Sequence, residues 1–186
     1  MNAAPKANPP DLSEFTDILL VEDDPTDAEL TLRSLADCGL APRVEHVTDG
    51  AAALDYISSS SVSASKGASA APRLILLHLK LKGLGGLHVL RGLKTDERTR
   101  GIPIVVLTNS KVGIELIESY KLGVNSYVIK PTNSEKFAET IQAIARYWLR
   151  INELPGPELP YLVHPVRSFG PAADQRELTF AAAQTR

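Results

Sequence analysis

Residues 18–25 read Ile18-Leu19-Leu20-Val21-Glu22-Asp23-Asp24-Pro25, and this stretch decides the fold. Four aliphatic side chains follow one another with no polar alternation, which is how a strand buried on both faces reads. The run breaks at three acidic residues and a proline. Asp24 can cap a helix, and Pro25 suits the first helical position because its missing N–H has no partner there anyway. Ala28, Leu32 and Leu35 then recur at spacings of four and three, one face of a helix, and Cys38-Gly39 supplies the stop. A strand, an acidic turn and an amphipathic helix make one βα unit.

The same grammar repeats down the chain. Leu74-Ile75-Leu76-Leu77, Ile104-Val105-Val106-Leu107 and Tyr127-Val128-Ile129 are short aliphatic runs bounded by polar or turn residues. Residues 43–48, with Val44 and Val47, read as a weaker edge strand. Helical patterns cover 50–57, 84–93 and 112–122, the last closed by Gly123. The longest carries Phe137, Ile141, Ile144 and Trp148 at spacings of four, three and four. Strand and helix alternate five times between about residues 16 and 150, which predicts a parallel sheet with helices on both faces. The Ser/Ala-rich residues 58–71 read as a low-complexity loop. No repeat at solenoid periods is present.

The ends differ in texture. Residues 1–15 are rich in Pro, Ala and Asn, without an apolar core for a signal peptide, and read as a flexible segment. Residues 16–152 form the expected domain. From 153 to 186 Pro155, Pro157, Pro160, Pro165 and Pro171 exclude regular helix or interior strand. This stretch is too short for a second core, leaving a linker, a disordered end or an arm for a partner. Its hydrophobic anchors are Tyr161-Leu162-Val163 and Leu178-Thr179-Phe180. It has no room for a helix-turn-helix, so no DNA-binding output is expected.

Composition narrows the classes. The 186 residues are 44% hydrophobic and 23% charged, with 20 basic against 22 acidic side chains. That is a globular chain with no electrostatic footprint for nucleic acid or an anionic membrane. No apolar run approaches the length of a membrane span. The single cysteine, Cys38, excludes a disulfide framework or a Cys-rich zinc module, and fits a cytoplasmic protein. It reads as packing rather than as a nucleophile.

In an open parallel sheet ligands gather at the carboxyl ends of the strands. The first strand ends in Glu22-Asp23-Asp24, the third in His78, the fourth in Thr108-Asn109-Ser110 and the fifth in Lys130-Pro131. Carboxylates suit a hard divalent cation, and a hydroxyl with an ammonium suits a phosphoryl group.

On these motifs, residues 17–150 resemble the receiver domain of two-component response regulators. Arg43-Val44-Glu45-His46-Val47, Gly123-Val124-Asn125-Ser126-Tyr127 and Arg146-Tyr147-Trp148-Leu149 resemble, more narrowly, the stand-alone regulators of phytochrome histidine kinases. The resemblance implies a flavodoxin-like, doubly wound α/β fold with five parallel strands in the order 2-1-3-4-5 and five helices. It implies that Asp23 holds a metal ion directly and Glu22 through water, and that Lys130 neutralises phosphoryl oxygens. Thr108 would move toward a phosphoryl group, Tyr127 would swing in after it, and the bond before Pro131 would be cis. It also implies a sensor kinase, such as a bacteriophytochrome, as partner, and a homodimer. Phe137, Ile141, Ile144 and Trp148 are core by default, but apolar residues continue past them at Leu149, Ile151 and Leu154, suggesting an interface through this helix and the tail.

One loop departs from the family. The phospho-accepting aspartate is replaced by His78. The pattern Asp-x-x-Leu-Pro-x-x-Asp-Gly becomes His78-Leu79-Lys80-Leu81-Lys82-Gly83-Leu84-Gly85-Gly86, with His78, Lys82 and Gly85 all changed. Losing the aspartate removes the nucleophile and one of three negative charges around the cation. No aspartyl phosphate, weak or absent Mg2+ and no enzymatic activity are therefore expected. His78 admits four readings: a structural filler of the old acceptor position, a pH-responsive switch, a transition-metal ligand with Glu22 or Asp23, or a phosphohistidine acceptor. Gly83, Gly85 and Gly86 fit no nucleotide-binding spacing and read as a flexible turn. His46, His88 and His164 show no metal-ligand spacing.

Overall fold

A computed structural model describes residues 16–63 and 71–153. The N-terminal segment, the centre of the Ser/Ala-rich stretch and the Pro-rich tail, with its two apolar triplets, lie outside the described residues. The opening run forms β1, Ile18–Val21, with every side chain buried. Strands β2 (Val44–Val47), β3 (Leu74–His78), β4 (Ile104–Thr108) and β5 (Ser126–Ile129) complete a five-stranded parallel sheet in the order β2-β1-β3-β4-β5. The central strands β1, β3 and β4 are buried throughout, whereas β2 and β5 are only partly buried, as edge strands should be.

Because successive strand residues point to opposite faces, each run feeds two cores. Leu19, Val21, Ile75, Leu77, Ile104 and Val106 share one core with α2 (Gly50–Ser63) and α3 (Gly86–Thr95). Ile18, Leu20, Leu74, Leu76, Val105 and Leu107 share the other with α1 (Pro25–Ala36) and α5 (Ser134–Arg146). Strand pairing puts Val21 beside Leu77 and His78 beside Leu107, so the chain that leaves β1 runs alongside the end of β3. All the strand ends that carry polar residues therefore meet at one rim.

Helix α1 starts as its sequence requires. Asp24 Oδ1 accepts from the backbone N–H of Thr26 and of Asp27, each at 2.9 Å, with Pro25 at the first turn. These bonds, Asp27 first, hold the Asp24 carboxyl below its ordinary value. A lowered native value means that this stabilisation is complete above the unfolded pKa of about 3.9 and is lost as pH falls through the native one. Asp24→Asn, which keeps an acceptor without the charge, is expected to flatten the acid limb of stability below about pH 4. Urea midpoints measured along a pH series check it; identical limbs would remove the cap from the acid response.

Three expectations need correction. Helix α2 runs to Ser63 instead of ending at Ile57: no Gly or Pro interrupts residues 51–63, so the helix propagates into the serine-rich stretch. No peptide bond among the described residues is cis, so Lys130–Pro131 is trans, the form an X–Pro bond favours unless its surroundings oppose it. Phe137 and Ile141 are buried in the α1/α5 core, as their spacing expects by default, and Ile144 and Trp148 are partly buried against the same core. Leu149 joins that core from a π-helical turn, Tyr147–Ile151, that follows α5; Tyr147 and Ile151 are exposed. The glycines are not one flexible turn: Gly83 has φ 70°, but Gly86 is packed against the backbone at the end of β3.

Helix α4 (Gly113–Lys121) is turned inside out. Ile114, Ile117 and Tyr120 are more than half exposed, and Val112 and Leu116 are exposed beside them. Its one fully buried residue is Ser119, and Glu115 Oε2 is buried with no hydrogen-bond partner among the described residues. An apolar stripe on the solvent side of a helix marks a contact surface rather than a core.

Candidate functional site

The rim holds a pocket built from four segments. Glu22 follows β1 directly and is 1% exposed. Its Oε1 accepts from the N–H of Asp24 at 3.3 Å, and its backbone carbonyl lies 2.9 Å from His46 Nε2 on β2. His78 closes β3, and Thr108 closes β4, fully buried. Lys130 follows β5, its N–H held 2.8 Å from the carbonyl of Thr108.

Lys130 is the centre of this pocket. Its Nζ donates to Glu22 Oε2 at 2.5 Å and to Asp27 Oδ2 at 2.7 Å, and lies 3.2 Å from His78 Nδ1. An ammonium has only donors, so Nδ1 must accept and the imidazole proton sits on Nε2. The 3.5 Å approach of Nδ1 to Glu22 Oε2 is then a close contact, not a hydrogen bond. Burial is the main force holding the His78 imidazole below its usual pKa. Glu22 pulls the other way, and Lys130 adds to the lowering. At neutral pH His78 is uncharged, consistent with its role as acceptor to an ammonium.

Glu22, Asp23 and His78 each offer a donor atom within 4.8 Å of the others. Asp23 is separate from the Lys130 cluster: its Oδ2 faces Lys82 Nζ at 3.8 Å, with the Lys82 side chain 85% exposed. Thr108 Oγ1 accepts from the N–H of Ser110 at 3.1 Å. The Tyr127 hydroxyl points to the carbonyl of Ser110 at 3.5 Å, and its ring packs against the α2/α3 core. Burial, aided by the nearby Glu115, raises its phenol pKa.

The structure therefore brings Glu22, Asp23, His78, Thr108 and Lys130 to one rim, with Tyr127 beside it. Asp27 escaped sequence reasoning. It lies in the first turn of α1, where an acidic residue is already explained by the helix dipole. The usable signal was spacing: one helical turn beyond the Asp24 cap, Asp27 comes back over the strand ends.

A parallel sheet with an acidic first-strand end, a hydroxyl at the end of the fourth strand and a lysine after the fifth defines a receiver. The chain belongs to the response regulator receiver domain family, which it matches over residues 18–142. Among curated relatives it is 42% identical to the probable methanogenesis regulatory protein FilR2 of Methanothrix harundinacea, over 75% of this chain and 88% of that one. It is 33% identical to the response regulator Rcp1 of Synechocystis, over 81% and 97%. Among solved structures it resembles the phosphorylated cyanobacterial phytochrome response regulator RcpA, with TM-score 0.69 and 33% identity over 76% of this chain and 99% of that one. The Mn(2+)-bound form of Rcp1 is similar at TM-score 0.68 and 33% identity, with the same coverage. The bacteriophytochrome response regulator AtBRR is 41% identical, over 75% and 99%, at TM-score 0.57. These likenesses include phytochrome regulators, and the fold is the receiver fold. No helix among the described residues is long and apolar enough to cross a membrane.

Proposed function

We propose that this chain is a receiver of a phytochrome-linked two-component system that no longer forms an aspartyl phosphate and signals by protein–protein contact. One observation carries the proposal. All three protons of the Lys130 ammonium are matched to acceptors: Glu22, Asp27 and, at the acceptor position itself, His78. In the family pocket that lysine meets phosphoryl oxygens, whereas here it has no donor to spare. Neutral imidazole offers neither the negative charge nor the carboxylate oxygen of the missing aspartate, so magnesium binds weakly or not at all. The chain then has no catalytic role of its own.

The partner under this reading is a sensor histidine kinase of the bacteriophytochrome kind, in the cytoplasm, and the chain acts as a homodimer. The outward apolar stripe of α4, with the partly buried Ile144 and Trp148, supplies the contact surface. Thr108 and Tyr127 keep the places of switch residues, without a phosphoryl group to answer.

The test is intact mass after incubation with Mg2+ and a small phosphodonor able to phosphorylate histidine, such as phosphoramidate. Wild type is expected to gain nothing, and His78→Asp to gain one phosphoryl group at high Mg2+. A single acid-labile phosphoryl group on wild type, absent from His78→Ala, would make His78 a working acceptor and overturn the contact reading.

A further inference from the structure

The residues of this pocket do not fit the divalent cation that the receiver resemblance implies. We propose that Lys130 and Lys82 together take the place of that cation, with Lys82 as the gate that keeps free ions from Asp23. The proposal deepens the reading of the pocket as one without acyl phosphate.

Charge and geometry carry it. Of the carboxylates at the rim, Glu22 and Asp27 meet the Lys130 ammonium and Asp23 faces that of Lys82. Lys130 bridges Glu22 and Asp27 from inside, its side chain 3% exposed. It thus occupies one carboxylate of the ligand pair directly. Asp23, whose side chain is 12% exposed, faces the opening, and the ammonium across from it is Lys82.

Lys82 stands where the receiver pattern has a proline, on the loop that follows the lost aspartate. An exposed ion pair of this kind adds little to stability, so its effect must be sought in binding. Its charge lies within about 4 Å of the oxygen that a metal would use. A dication approaching that oxygen meets twice the repulsion felt by a single charge. At the effective dielectric of a protein surface this weakens binding on the order of tenfold or more.

The test is Mn2+ binding, measured by isothermal titration calorimetry on the full chain, with thermal melts to establish that each variant is folded. Wild type is expected to bind no Mn2+ at millimolar concentration. His78→Asp is expected to bind weakly, and His78→Asp/Lys82→Ala to bind at least about tenfold more tightly. His78→Asp/Lys80→Ala, which removes an exposed lysine two residues away, is expected to match His78→Asp. Equal affinities for His78→Asp and His78→Asp/Lys82→Ala, or no binding by the latter, would overturn the role of Lys82. So would an equal gain from Lys80→Ala, which would reduce the effect to net charge. Wild type binding as tightly as His78→Asp would overturn the replacement as a whole. Phosphorylation of wild type on His78 would sink the contact reading and leave these affinities to be judged on their own.

Discussion

Lys130→Met is expected to lower the unfolding free energy by about 3–5 kcal/mol at neutral pH, the usual result of removing one partner from a buried ion pair. Glu22 is the reason. Its carboxylate is 1% exposed and depends on Lys130 for the strongest of its bonds. Methionine fills much of the space but leaves Glu22 charged and unpaired, with Asp27 beside it adding like-charge repulsion. The penalty comes from the orphaned charge rather than from the worth of the pair, so Glu22→Gln/Lys130→Met should recover a good part of the loss. Urea unfolding of the four members of this cycle measures both quantities. A loss below about 1 kcal/mol for Lys130→Met would be that of a surface pair and would place the ammonium in water rather than in the pocket.

Gly86→Ala is expected to destabilise by about 3 kcal/mol, at the upper end for overpacking. A Cβ at this position would lie 2.3 Å from the carbonyl oxygen of His78 and 2.6 Å from Leu79 Cα. Both are backbone atoms and cannot swing aside. Gly86 N–H also donates to the Leu79 carbonyl at 2.9 Å, so helix and strand end are drawn together where the new methyl would push them apart. The added methyl must move the start of α3 or the end of β3, and His78 with it. Gly85→Ala is the control: a Cβ there meets nothing within 4 Å, and its stability should stay within about 0.5 kcal/mol of wild type. Thermal melts of the two single variants separate them, and similar melting temperatures would remove the close approach at Gly86.

What was legible in the sequence was what repeats. Buried parallel strands show as unbroken aliphatic runs, so β1, β3 and β4 stand out from the order of residues alone, and the order of helices between them follows. The rim was legible for the same reason: strand ends are fixed by the runs, and Glu22, Asp23, His78, Thr108 and Lys130 sit at those ends. Asp27 was hidden because it arrives from a helix, and the residue that completes a pocket from another element leaves no periodic trace. The stripe of Phe137 and Ile141 carries a related ambiguity. An apolar stripe does not say whether its cover is the same chain or another, and here α1 and the sheet supply it. Gly86 was misjudged since a glycine needed for close approach and one needed for a turn look alike; of the three in this loop, only Gly83 has the positive φ of a turn.

An ion drawn from solution stabilises its site in proportion to how much of it is present, by mass action. An ammonium carried on the chain has no such dependence: it cannot be diluted, dialysed or chelated away. Lys130 is bonded to Glu22, Asp27 and His78, and under the proposal that it replaces the cation the strand ends keep their arrangement whatever the magnesium content around them. Melting curves of this chain should superimpose in the presence of EDTA and of millimolar Mg2+. Under the contact reading proposed above, its working state is set by how many copies are made and whom they meet, rather than by the chemistry of a pocket that must be charged and emptied.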